Sequence, residues 1–386
     1  MDNIEVLDNE DDWQVLTSFL PGGWKEKAKE LGALLRCRKF LDAESLLRTL
    51  LIHLSDGCSL RETTVRARKG NIVSVSDVAL LKRLKASGEW FRWMALQIMN
   101  TWIAKQPSAV FGKGLKVRVV DGSTIQEPGA TGSTWRIHYS ILLPSLQCDE
   151  VLVTSPKIGE SLKRFTVHPG DLFLGDRGFA HRAGISHVVN GGGDVIVRIN
   201  LTNVPLVKQN GKPFPLLSRL RTLTGTKLGN WDVWVPYDNT MIPGRVCALK
   251  KNKKAAEKAR QKALKENSRK GRAVKPETIE AAGYVFVFST LDCRFGPISI
   301  LEMYRGRWQI ELVFKRLKSI IGIGHLKKSD LQAAKAWIHG KLLVAFLIEA
   351  LIVAGESFSP WGYPICKEIP KITVSMEGNF INASPI

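Results

Sequence analysis

At Pro107 the hydrophobic period of this chain changes, and few architectures accommodate the change. From Trp24 to Ile103 apolar residues recur every three or four positions, the period of an amphipathic helix. The stretch AKELGALLRCRKFLDAESLLRTLLIHLSDG reads as two helices ending at Asp56-Gly57. Ser59, with Glu62 three positions on, has capping-box spacing ahead of the next helix, and Ser76-Asp77 opens a further one, VALLKRLKASGEWFRWMALQIMNTWI. Beyond Pro107 the runs are short and strand-like: LKVRVVDGST, TWRIHYSILL, DEVLVTS, DLFLGDRGF and DVIVRIN, then GNWDVWVPYD and YVFVFST. Strands joined by short helical links predict an α/β fold, preceded by a helical N-terminal domain.

Charge narrows the function. The 386 residues hold 56 Lys and Arg against 36 Asp and Glu, a formal +20, which attracts polyanions. Residues 250–275 alone supply 12 bases against Glu257 and Glu266, half of that net charge, and read either as a phosphate-gripping arm or as a solubilising insertion. Arg61, Arg66, Arg68, Lys69, Lys82, Arg83 and Lys85 give the N-terminal helices a basic surface. That surface suits a helix-turn-helix-like DNA contact, or a basic bundle that packs on the next domain. A membrane partner is not expected, because the longest apolar stretch, Leu342 to Ala354, is short of a span and contains Glu349. No signal peptide is evident. The six cysteines are scattered without zinc spacing, which suggests reduced thiols in the cytoplasm.

The chemistry is most legible in EMYRGRWQIELVFKRLKSI, Glu302 to Ile320, which is expected to be helical. At about 100° per residue, Tyr304, Arg307, Glu311 and Lys318 share a face about 60° wide, while Ile310, Val313, Leu317 and Ile320 form a burying face. An ordinary solvated helix would need only a Glu311–Lys315 pair, which leaves the aligned tyrosine and arginine unexplained. Asp121 and Asp176 each end an apolar run before a glycine-containing turn, where sites gather in α/β sheets. Two such aspartates with a helix glutamate make an oxygen-only cage suited to Mg²⁺ or Mn²⁺ rather than zinc.

These residues resemble the DDE transposases of bacterial insertion sequences, specifically the YREK-signature group (insertion-sequence family four). YRGRWQIELVFKRLK carries that signature at Tyr304, Arg307, Glu311 and Lys318 without a gap. VRVVDGST is similar to the segment bearing the family's first catalytic aspartate, here Asp121, and LFLGDRGF to the second, here Asp176. The resemblance covers roughly residues 58–355 and implies an RNase H-like catalytic core interrupted by a β-rich insertion. It also implies Mg²⁺, with Mn²⁺ as a substitute, held by Asp121, Asp176 and Glu311 for two-metal cleavage and strand transfer. Arg307 and Lys318 would grip phosphates, and Tyr304 would bond a phosphate beside a displaced base. Trp231 or Trp234 would stack on that base, or else lie in the core. Partners would be double-stranded DNA, as terminal inverted repeats and target, with the protein a homodimer on it.

The expected organisation is an acidic arm (1–13), a helical DNA-binding domain (14–106), a first core segment (107–200), a β-rich insertion (201–290) carrying the basic arm, a second core segment (291–360) and a tail (361–386). Trp135, Arg136 and His138 either border the site or pack within a strand. His181 and Arg182 either reach DNA or start a helix. An inactive sequence-specific DNA-binding protein and a structure-specific nuclease are the competing readings. All three carboxylates are present, which speaks against the first, and the N-terminal helices and insertion are superfluous to the second.

Overall fold

Six helices form the N-terminal region of the chain: α1 (Asn9–Ser18), α2 (Trp24–Glu30), α3 (Ala43–Ser55), α4 (Leu60–Lys69), α5 (Asp77–Ala86) and α6 (Gly88–Lys105). The computed structural model describes residues 9–105, 114–127, 134–269, 271, 273–324, 326 and 330–356. The Ser59 and Ser76 hydroxyls accept from the N–H groups of Glu62 and Ala79, so both expected N-caps form. Glu62 pairs with Arg66 instead of completing a capping box. The long helix expected after Ser76 is two helices. They break at Ser87-Gly88, where a β-carbon on Gly88 would stand 3.2 Å from the Ala336 backbone. Residues 9–13 of the expected acidic arm lie in α1, and residues 1–8 fall outside the described residues, as does the expected tail.

The sheet follows: β1 (Lys116–Ile125), β2 (Trp135–Leu142), β3 (Cys148–Thr154), β4 (Asp171–Gly175), α7 (Arg182–Asn190), β5 (Asp194–Arg198), α8 (Leu216–Arg221), β6 (Gly229–Tyr237), β7 (Thr240–Lys250), α9 (Lys253–Arg269), α10 (Pro276–Ala281) and β8 (Tyr284–Ser289). The chain continues through α11 (Pro297–Arg305), a 3₁₀ turn at Gly306–Trp308, α12 (Gln309–Ser319) and α13 (Leu331–Glu356). The eight strands form one mixed sheet in the order β3-β2-β1-β4-β5-β8-β7-β6. β1, β4 and β5 are parallel, and the other pairs are antiparallel. The strands expected in a separate inserted domain therefore pair through β8 onto β5 and lengthen the central sheet. Strand β4 is buried along its whole length, as a parallel strand covered on both faces must be.

Contacts divide the described chain into two units, Leu20–Phe346 and a second formed by α1 with the last turns of α13 from Leu347. Within α13 the stretch Leu331–Gly355 is long and apolar enough to cross a membrane, yet 61% of its 18-residue apolar window is buried inside the protein, as befits a core helix. Trp102 meets Phe346 edge-on at 5.3 Å, and His339 Nδ1–H donates to the Gly88 carbonyl at 3.0 Å.

Buried Arg118 fixes the register that matters most. From β1 it forms ion pairs with Asp149 (2.7 Å), Glu150 (2.7 Å) and Asp171 (3.1 Å), and lies 4.6 Å over the Phe173 ring. One guanidinium thus ties β1 to the starts of β3 and β4.

Candidate active site

Parallel pairing sets the two aspartates level. Val117 faces Leu172 and Val119 faces Leu174, so Asp121 and Asp176 each lie two residues beyond a paired position, on the same side of adjacent strands. Neighbouring strands are about 4.8 Å apart. Each carboxylate is anchored by backbone: Asp121 Oδ1 accepts the Gly122 N–H at 2.8 Å, and Asp176 Oδ1 accepts the Gly178 N–H at 2.7 Å. Burial pushes the Asp121 carboxyl up to about 7; the Gly122 N–H opposes this, Asp176 adds to it, Arg307 opposes it and Glu160 adds to it.

Glu311 arrives from the other direction. Ile310, Val313, Phe314 and Leu317 are the buried face of α12, and Phe314 meets Tyr139 with ring centroids 5.8 Å apart. Tyr139 is the residue directly opposite Asp121 on β2, so this contact docks α12 over the first aspartate. Ile320, expected on the same face, is 72% exposed because the helix ends at Ser319.

The expected single helix is interrupted. Gly306–Trp308 forms a 3₁₀ turn where a β-carbon on Gly306 would stand 2.8 Å from Leu143 Cδ1. A 3₁₀ turn tends to eclipse positions three apart, which draws Tyr304 and Arg307 together. Arg307 Nη2 donates to Glu311 Oε1, so the glutamate pairs one turn back along the helix, not with Lys315. Burial works against the Arg307 charge, but the Glu311 hydrogen bond and the nearby negative groups outweigh it and hold the guanidinium above its ordinary value. Tyr304 is buried and its hydroxyl has no hydrogen-bond partner among the described residues. Burial raises its pKa, against the charges of Arg307, Arg198 and Arg177 and with that of Asp176. Lys318 is exposed on the same stripe, but two turns beyond Glu311, roughly 10 Å along the axis.

Sequence reasoning missed several residues here. Glu160, in the loop between β3 and β4, has its carboxyl raised by burial and by Asp176, with Arg136 and His181 opposing. Arg177 follows Asp176 directly, and Arg198 ends β5 as the aspartates end their apolar runs, a position that strand-end reasoning could have flagged. Lys251 is half-buried with Nζ donating to the Ala282 carbonyl at 2.8 Å; burial, with the charges of Arg198 and Arg177 adding to it, lowers its pKa to about 8. Cations that repel one another beside Asp176 form a surface primed for an anion.

Other expected residues lie apart from this group. Trp231 and Trp234 are on β6, five strands from β1 at the far edge of the sheet, roughly 24 Å away at ordinary strand spacing. Trp231 packs against the core with Phe214 at 6.3 Å, while Trp234 projects to the opposite face of β6. His138 is buried and bonds the Thr154 hydroxyl at 2.9 Å, Trp135 Nε1 donates to Glu127 at 3.0 Å, and Arg136 Nη1 donates to the Ile158 carbonyl at 3.3 Å. His181 is the N-cap residue of α7.

The donors near Asp121 and Asp176 are all oxygens, the set a hard divalent cation takes. The lack of a β-carbon at Gly122 and at Gly178 admits the Glu160 carboxylate beside them. Among the described residues no three acidic, histidine or cysteine side chains converge closely enough for one ion as they stand, and Glu311 is turned to Arg307.

A family model described as Transposase DDE domain matches residues 154–347, a span that holds Asp176 and Glu311. The chain is 34% identical over 361 residues to the InsL protein of insertion sequence element IS186A from Escherichia coli (strain K12), covering 91% of this chain and 96% of that one. It is equally identical, 34% over 362 residues with the same coverage, to the transposase for insertion sequence element IS421 from Escherichia coli. A cryo-EM structure of the piggyBac transposase synaptic complex with hairpin DNA superposes with a TM-score of 0.47 at 10% identity, covering 90% of this chain and 76% of that one.

Proposed function

The chain belongs to the DDE transposases of insertion sequences, and from that premise we propose that Asp121, Asp176 and Glu311 are the three carboxylates of its catalytic site. The family makes it a metal-dependent enzyme that cleaves DNA and transfers strands in transposition. The observation that carries the assignment is the parallel register of β1 and β4, which levels the two aspartates beneath the helix bearing Glu311.

The five strands β3-β2-β1-β4-β5, with β1, β4 and β5 parallel, support an RNase H-like core. The spacing of Tyr304, Arg307, Glu311 and Lys318 supports membership of the YREK group. Mg²⁺, with Mn²⁺ as substitute, would be held by Asp121, Asp176 and Glu311. When bound, such ions activate a water or a 3′-hydroxyl and offset charge on the scissile phosphate.

The protein's own groups have separate tasks. Backbone N–H groups fix Asp121 and Asp176 in advance. Arg307, on meeting a phosphate, would exchange its bond to Glu311 for one to the DNA and so free the carboxylate to turn inward. Tyr304, whose hydroxyl is buried without a partner, would donate to a phosphate oxygen. Arg177, Arg198 and Lys251 would hold the backbone beside Asp176, and Lys318 would contact it two turns away. Stacking on a displaced base falls to Trp234, since Trp231 is packed. The basic N-terminal helices and α9 would grip the inverted repeats and target, with two copies joining two ends in the cytoplasm.

DNA carrying the gene's flanking inverted repeats, incubated with protein and Mg²⁺ or Mn²⁺ and resolved on a denaturing gel, tests this reading. Cuts at the repeat boundaries that vanish with EDTA and in Glu311→Ala are expected, with DNA binding retained. Binding without cleavage by the wild type under either metal would return the inactive DNA-binding protein.

A further inference from the structure

The loop between β3 and β4 delivers one more carboxylate to the strand ends. Glu160 lies across the backbone of both aspartate turns: a β-carbon at Gly122 would stand 2.7 Å from its Oε1, and one at Gly178 would collide with its Oε2. One oxygen therefore covers the residue after Asp121, and the other covers the residue whose N–H holds Asp176. The glutamate reaches this place only because both positions are glycine.

A carboxylate set against two others is disfavoured unless a positive charge joins them. Arg136 donates to the Ile158 carbonyl, and neither it nor His181 forms an ion pair with Glu160 among the described residues. The buried Tyr304 hydroxyl, within electrostatic range of Asp176, has no hydrogen-bond partner among the described residues.

We propose that Glu160 is a fourth carboxylate of the cation site, which ligates a divalent ion with Asp121 and Asp176 before DNA arrives, while Glu311 is still paired to Arg307. The proposal rests on the assignment of the aspartates above. The three carboxylates stand too far apart to share an ion as they are. Side-chain rotation of Glu160 toward the aspartates would close the set. Glu311 then completes it once a phosphate takes Arg307.

Mn²⁺ titration of the full-length protein without DNA, followed by electron paramagnetic resonance, tests this, with thermal unfolding in EDTA and in Mn²⁺ as a second readout. Glu160→Gln is expected to weaken Mn²⁺ binding about tenfold or more, while Glu311→Gln binds as the wild type does. In EDTA, Glu160→Gln is expected to unfold at or above the wild-type temperature, since one like charge is gone, and to lose most of the upward shift that Mn²⁺ gives. Wild-type Mn²⁺ affinity in Glu160→Gln, with binding lost in Asp121→Asn, would overturn the fourth ligand alone. A lower unfolding temperature of Glu160→Gln in EDTA would also overturn it, in favour of a packing role. Unchanged binding in Asp121→Asn and Asp176→Asn would overturn the cation site itself.

Discussion

Asp121 and Asp176 are carried by adjacent parallel strands and fixed by backbone N–H groups, whereas Glu311 stands half-exposed on a helix and is held by one side chain, Arg307. The strands are themselves locked: buried Arg118 ties β1 to β3 and β4, and β4 has no exposed residue. Two acids are thus built into the sheet, and the third is latched. Backbone anchoring costs little further entropy on substrate binding, while a side-chain latch can be exchanged for a phosphate. The difference teaches that a site read as three equivalent residues can be assembled in two steps.

The sharpest way to break this comparison is to remove each acid in turn. Asp121→Asn, Asp176→Asn and Glu311→Gln should each lower end cleavage by about 1,000-fold or more, the several kcal/mol that metal ligation supplies. Only the aspartate variants should also lose Mn²⁺ binding without DNA. Equal loss in Glu311→Gln would mean that the glutamate is already in place. Next in size, Arg118→Ala should cost about 3–5 kcal/mol in urea unfolding, because it strands buried carboxylates. Arg307→Ala should leave stability nearly unchanged.

Arg307→Ala should instead slow cleavage and weaken DNA binding by about 10–100-fold, the value of a charged hydrogen bond to phosphate. Faster cleavage would make the latch inhibitory only. The pH dependence is smaller. With the folded-state carboxyl of Asp121 raised to about 7, the folded protein holds a proton that the unfolded chain releases near pH 4. In EDTA, this residue's contribution to stability is therefore full below pH 4 and lost as pH rises to 7. Asp121→Asn should remove that downward slope in unfolding scans. The smallest effect is expected far from the carboxylates. Neutralising lysines of α9 should flatten the salt dependence of DNA binding by about 0.9 for each phosphate no longer neutralised, with cleavage of bound DNA intact.

Local signals carried much of this into the sequence. Asp121 and Asp176 end apolar runs before glycine turns, and Tyr304, Arg307 and Glu311 recur at helical spacing; the two serine caps were equally local. What could not be read depends on contacts distant along the chain. The pairing of β8 with β5 joins residues about ninety positions apart, so strands that looked like a separate domain extend the sheet. The break at Ser87-Gly88 answers to Ala336, and the 3₁₀ turn to Leu143. Glu160 sits in a loop with no period, and its meaning comes from two glycines, 38 positions before it and 18 after.

The most direct test of the three-carboxylate site is a switch of metal preference. Asp121→Cys, Asp176→Cys and Glu311→Cys would be assayed for end cleavage in Mg²⁺ and in Mn²⁺, since a thiolate ligand disfavours the harder ion. The account predicts no cutting by any of the three in Mg²⁺ and partial recovery in Mn²⁺. Wild-type cleavage in Mg²⁺ by any one of them, or no recovery in Mn²⁺ by all three, would contradict it.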